Sequence, residues 1–288
     1  MTRPNVELVK IRSISEVIDD SVLFVKQNWK GLLQSYFSIC GFFWVATIVI
    51  SIFNQIHFQR RTDAGESMID GHFWFGMFFG CLNHTVTAVA GLSFMSLYHQ
   101  KGNVAPTTAE VWSYFKYFFL RVLGGNLLII LCLSAGAVFC FFPMIYLWPV
   151  LSLVPVAIVI DNYPINGAFS YSFNLISTKW GQVFGALILC CFLIVSAALL
   201  LGIPLGGGAA LYVFLSGDHD RHIARFVITI LFSFIQFFFL FPLIVLTLSY
   251  FNLKEQQEDH RLFERIKKLG VNDPKPTDHA MNHDEEQY

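Results

Sequence analysis

A histidine in the middle of an apolar run is the first group in this sequence able to do chemistry. Asn83-His84 falls near the centre of Phe73–Leu97, a stretch with no Asp, Glu, Lys or Arg. An ionisable group at membrane depth is costly to hold there, and an imidazole can relay protons. A neutral imidazole can equally hydrogen-bond a neighbouring helix, with Asn126 or Gln236 as partner from other apolar runs. Asn83, His84, Asn126 and Gln236 are therefore the candidate intramembrane polar site. A second set, His57, His72, Asp218, His219, Asp220 and His222, gathers imidazoles and carboxylates that together could bind a divalent ion. Asp218–His222 lacks a helical His-x-x-x-His pair, however, and reads more simply as a solvated loop. No metal or cofactor is expected. The third feature is Pro204 with Gly206, Gly207 and Gly208 late in an apolar run. Such a break exposes backbone groups to ligands in transporters, or it simply ends a helix. No Walker A loop, nucleophile elbow, metalloprotease motif or paired carboxylates at depth accompany these features, so no enzyme is expected. The absence of Asp or Glu inside the spans also argues against an ion-coupled pump.

The elements that must carry these residues follow from composition. Of 288 residues, 55% are hydrophobic and only 14% charged, far from a soluble domain. The net charge of −1 argues against nucleic acid as a partner. All six cysteines lie in apolar runs, where Cys is a small hydrophobe and a disulfide framework is not expected. The first thirty residues are of mixed charge and lack the apolar core of a signal peptide. The longest charge-free stretch, Val122–Ile160, is about twice the ~20 residues that cross a bilayer. It holds two crossings, reversing at Pro143, with Pro149 and Pro155 kinking the second.

Around that hairpin the sequence predicts six spans. They lie near Leu32–Phe53, Phe73–Leu97, Val122–Phe142 and Met144–Ile160, from Gln182 onward, and near Phe226–Phe251. The glycines at 206–208 stop span five and leave Ala209–Ser216 as an interfacial or re-entrant piece. Gly76-x-x-x-Gly80 and Gly91 in span two predict close helix packing. Short amphipathic elbow helices precede the hairpins. Ser13–Lys30 opens with the capping-box pair Ser13 and Glu16, a second follows Pro106-Thr107-Thr108, and a third runs from Tyr163-Pro164 to Gly181. The first and third both end in Trp beside Lys and Gly, which suggests three tandem elbow-and-hairpin modules. The chain thus divides into a polar tail (1–12), a membrane domain (13–253), a cytoplasmic amphipathic helix (254–270) and a disordered tail (271–288). The fold class is all-α and polytopic. With six spans, fifteen of the nineteen Lys and Arg fall on the side of the termini. The positive-inside rule then puts both termini in the cytoplasm of a cell with an inner, or plasma, membrane.

Several residues carry a family likeness. Ser13–Lys30 before the first span, Leu153–Val159 followed by Asp161, then Gly167-Ala168, Ser170-Tyr171-Ser172 and Thr178-Lys179-Trp180-Gly181 resemble the six-span membrane domain of the glycerophosphoryl diester phosphodiesterase family. The likeness covers residues 13–250 in layout and 150–185 in motif. Basic residues expected around Ser170–Ser172 are absent, and so is a soluble phosphodiesterase barrel. The resemblance implies a six-span fold and no hydrolysis. The functional expectation is a non-enzymatic scaffold or assembly partner, in contact with the lipid bilayer and with a membrane protein or a second copy of itself. The alternative is a small-solute or lipid transporter using kinked span four and broken span five. That alternative requires a polar cavity near His84 rather than a solid core.

Overall fold

The computed structural model describes residues 5–65, 70–138, 142–177, 179–216 and 234–271. Its helices are α1 (Ile14–Ala64), α2 (Gly71–Gln100), α3 (Thr108–Val138), α4 (Phe142–Ser152), α5 (Val154–Ile160), α6 (Ile165–Ile176), α7 (Trp180–Ser216) and α8 (Leu240–Val271). A 3-10 turn, Phe234–Phe239, leads into α8. Six segments are long and apolar enough to cross a membrane: Ile14–Phe58, Gly71–Gln100, Thr108–Ala137, Phe142–Ile160, Trp180–Pro204 and Gln236–Phe263. The chain is an all-α, multi-pass membrane protein, as the lengths of its charge-free apolar runs predict.

The first two elbows are not separate helices. The capping box forms as expected, with Ser13 N–H donating to Glu16 Oε2 at 2.7 Å and Glu16 N–H to Ser13 Oγ at 3.3 Å. The helix it starts then runs through Gly31 without a break for 51 residues. The second elbow is likewise the first turns of α3. Only the third, α6, stands alone. The two Trp-Lys-Gly ends also differ in role. Trp29 is exposed beside Lys30, whereas Trp180 donates its indole N–H to Tyr146 O at 3.0 Å and stacks on Tyr146 and Phe184. The threefold repeat is therefore not carried through in the elements. A helix interrupted only by a glycine keeps its backbone ladder when both sides are helix-forming, at a cost near 1 kcal/mol.

Span four is broken where proline requires it. Pro143 lies in the first turn of α4, where a missing N–H costs nothing, so the reversal precedes it. Pro149 lies inside α4, and Pro155 occupies the first turn of α5 after a one-residue break at Leu153. Span five departs from expectation in the other direction. Helix α7 continues past Pro204 and through Gly206, Gly207 and Gly208 to Ser216, so 209–216 extends the helix and is not a separate re-entrant piece. Membrane helices tolerate proline when neighbouring groups re-satisfy the backbone. The start of the expected sixth span, residues 226–233, lies outside the described residues, as does the tail from Asn272. Helix α8 carries span six directly into the charged segment 254–270.

The polar N-terminal tail is packed over its described residues, with Val6, Leu8 and Arg12 buried. Residues 5–12 form a strap across the bundle end that also holds the 101–107 connection. Val6 N–H donates to Gln27 Oε1, Tyr98 Oη–H to Val6 O, and Asn5 Nδ2–H to Asn103 O. Asn252 on α8 grips the Arg12 backbone from both sides, accepting its N–H at 2.8 Å and donating to its carbonyl at 3.0 Å. The Arg12 guanidinium, 1% exposed, pairs with Asp20 at 2.7 Å and also donates to the carbonyls of Glu7, Leu8 and Lys10. A buried cation needs this complete a set of acceptors. The N-terminal strap and α8 therefore meet at one end, hereafter the termini end.

Candidate functional site

The hydrogen bonds divide the four intramembrane polar candidates. Asn126 on α3 is buried and donates through Nδ2 to Thr85 Oγ1 on α2 at 2.9 Å, gluing spans two and three. Gln236, in the 3-10 turn before α8, faces the Tyr36 hydroxyl, which also faces Thr87. Tyr36 Oη, Thr87 Oγ1 and Gln236 Nε2 are all buried, and none reaches hydrogen-bonding geometry among the described residues. Asn83 is buried with its Oδ1 unpartnered among the described residues. His84, one residue on, is exposed on the surface of α2. The polar atoms at depth thus serve two helix interfaces, and the imidazole belongs to neither.

The backbone breaks have different surroundings. Pro149, Val150, Leu151 and every residue from Leu153 to Val159 are buried. Span four is closed off by α2, α3 and α6. A Cβ added at Gly125 would stand 3.2 Å from Ile158 Cδ1, and one at Gly136 only 3.1 Å from the Met144 backbone N. Those two glycines let α3 lie close against span four. By contrast, Cβ atoms at Gly207 and Gly208 would meet nothing within 4 Å.

A polar cluster at the termini end was not legible as a site. Asp161, which caps α5, accepts from Lys254 Nζ at 3.0 Å through both oxygens and from Tyr250 Oη at 2.7 Å. Tyr171 on α6 stacks on Tyr163 at 4.7 Å and lies 6.0 Å from Tyr250, while the His99 ring packs on Phe251. Burial raises the Tyr171 phenol above its ordinary value, with Lys254 opposing the rise and Asp161 adding to it. Asn162, in the left-handed region at φ 55°, accepts from Arg121 at 2.5 Å. Asp161 and Lys254 are 93 positions apart; in the sequence Asp161 stood out as the acidic end of span four in the family-like motif, and Lys254 only as the flank of an apolar run. Chemically the Asp161–Lys254 pair, neutral in sum, locks the end of α5 to α8. Of the family-like motif, Ala168 and Ser172 are buried on α6, and Thr178 lies outside the described residues.

At the opposite end, the histidines of the first polar loop do converge. His57 near the end of α1 and His72 at the start of α2 have ring centroids 4.1 Å apart. Asp70, which its sequence context marks only as a loop charge, sits with them. Its Oδ2 accepts from Arg61 Nη1 at 2.6 Å and lies 2.7 Å from His57 Nε2, and its Oδ1 caps α2 by accepting from Phe73 N–H at 3.0 Å. The Phe73 N–H, then His57, then Arg61 hold the Asp70 carboxyl well below the usual range. Asp218, His219, Asp220 and His222 lie outside the described residues. Comparisons with protein-family models, curated proteins and solved structures return no match for this chain.

Proposed function

We propose that this chain is a non-catalytic scaffold or assembly partner of an inner, or plasma, membrane, multi-pass with both termini in the cytoplasm. One observation carries the reading. The break in span four, the place where a pathway would open, is packed against protein: Leu151, Leu153, Val154, Val156, Ala157 and Ile158 are at most 1% exposed. His84 lies on the exposed surface of its helix rather than in the core. The orientation rests on the distribution of Lys and Arg. The likeness to the phosphodiesterase membrane domain is proposed to extend to layout alone. A partner has apolar faces to meet at the bundle surface and on the extension of α8, where Leu262 and Phe263 are exposed.

A lipid transporter is the second reading, favoured by a groove of about 510 Å³ between α1, α7 and the start of α8. Apolar residues such as Leu33, Ile194 and Phe241 line it, and Lys26 and Trp29 stand at its rim. Photo-crosslinkers placed at Phe263 and Leu131 in native membranes distinguish the two. The scaffold reading predicts one discrete protein adduct at one or both positions. Lipid adducts alone, together with lipid exchange by the purified chain in vesicles, would establish the transporter instead.

A further inference from the structure

Within the described residues, one group of three metal-capable side chains has donor atoms all within 4.8 Å of one another: His57, Asp70 and His72. We propose that these three residues bind a divalent transition-metal ion of the zinc class and so clamp α1 to α2 at the end remote from the termini. Two imidazoles and one carboxylate suit zinc, copper or nickel better than magnesium or calcium, which prefer all-oxygen shells. Zinc bonds of roughly 2.0–2.1 Å to N and O place tetrahedral ligand atoms about 3.4 Å apart, so the widest pair must close by up to about 1.4 Å. His57 Nε2 and Asp70 Oδ2, in direct contact at 2.7 Å, must instead part by about 0.7 Å to share an ion. Asp70 is fixed by its capping bond to Phe73, and the two histidines come from different helices, so the ion would tie together the end of α1 and the start of α2.

Arg61 is the resident counter-charge. Its guanidinium bonds Asp70 Oδ2 at 2.6 Å, the oxygen that also faces His57. A dication taking that oxygen displaces the guanidinium from it. The geometry therefore gives opposite signs to its neighbours. Removing a histidine weakens binding, and removing the Arg61 charge strengthens it. This inference is independent of the scaffold reading.

The test uses the tag-free full chain in detergent micelles, stripped with chelator and titrated with Co²⁺, then with Zn²⁺ in competition. The expected result is one Co²⁺ per chain, with the visible absorption of a four-coordinate nitrogen–oxygen site, abolished by Zn²⁺. His57→Ala and His72→Ala each weaken binding by roughly 10–100-fold or more, a loss that follows even from removing a ligand's hydrogen-bond partner. Arg61→Gln tightens binding, and Zn²⁺ raises the unfolding temperature of the wild type but not of the double variant His57→Ala/His72→Ala. Absence of the cobalt band, or equal affinity in that double variant, overturns the site. Equal or weaker binding by Arg61→Gln overturns the role given to Arg61, even if a histidine variant fails to fold.

Discussion

The two halves of α2 belong to different environments. From Val86 to Met95 its large side chains are 0% exposed, buried among α1, α3, α5 and α8. From Phe73 to Phe78 the same helix exposes Phe73, Trp74, Phe75, Met77 and Phe78 by 43–61%. Both halves are apolar, so hydrophobicity does not separate them. Lipid tails are as apolar as leucine, so close packing and polar contacts drive helix association in a membrane. The packed half is where Thr85, Thr87, Ser93 and Ser96 are buried and where Gly91 sits under Leu240 and Leu243. The termini end has strap, ion pairs and interhelical hydrogen bonds. Among the described residues, the other end has aromatic surface and the Asp70 cluster.

The contrast breaks most readily at Arg12. Arg12→Ala leaves Asp20 and the carbonyls of the strap without their shared donor, and should cost about 3–5 kcal/mol in reversible detergent unfolding. A loss near zero would mean that the strap is not part of the folded unit. Gly91→Leu should cost about 1–3 kcal/mol, because a Cβ alone already meets Leu240 and Leu243 at 3.2 Å. Gly80→Leu on the exposed half meets nothing within 4 Å and should change stability by no more than about 0.5 kcal/mol. Equal costs at the two glycines would erase the distinction between the halves. Asn126→Ala removes one interhelical bond to Thr85 and should cost about 0.6 kcal/mol by double-mutant cycle with Thr85→Val.

The smallest effect concerns pH. The Asp70 carboxyl is lowered from its ordinary 3.8, so its contribution is complete above that value and fades as pH falls through the lower folded one. Wild type and Asp70→Asn should therefore differ by a constant margin at neutral pH and converge only below 3.8. Convergence already at about pH 5 would show that the Asp70 cluster does not hold α1 to α2.

Among the candidate sites, the sequence revealed single residues and missed their company. His57 and His72 were visible as ligand types, but Asp70 read as one more loop charge until the turn folded it onto them. Asp161 and Lys254 each looked like the flank of a span, since nothing local links positions 93 apart. Asn126 and Gln236 were both legible as polar residues at depth. Which helix each one faces depends on helix rotation, which a nearly uniform apolar run does not encode.

By itself the sequence determined six crossings, their order and the capping of α1, because apolar length and cap chemistry are local properties set against a fixed bilayer thickness. It also predicted that prolines would disturb span four, and the helix does break, at Leu153 just before Pro155, although it runs through Pro149. Only the tertiary structure decided that the glycines after Pro204 stay helical, that the N-terminal strap closes the termini end, and that His84 stays outside the packed polar interfaces. The strap and the placing of His84 depend on which neighbours fill the space around a residue, and in a membrane that is settled by shape complementarity between helices rather than by their hydrophobicity.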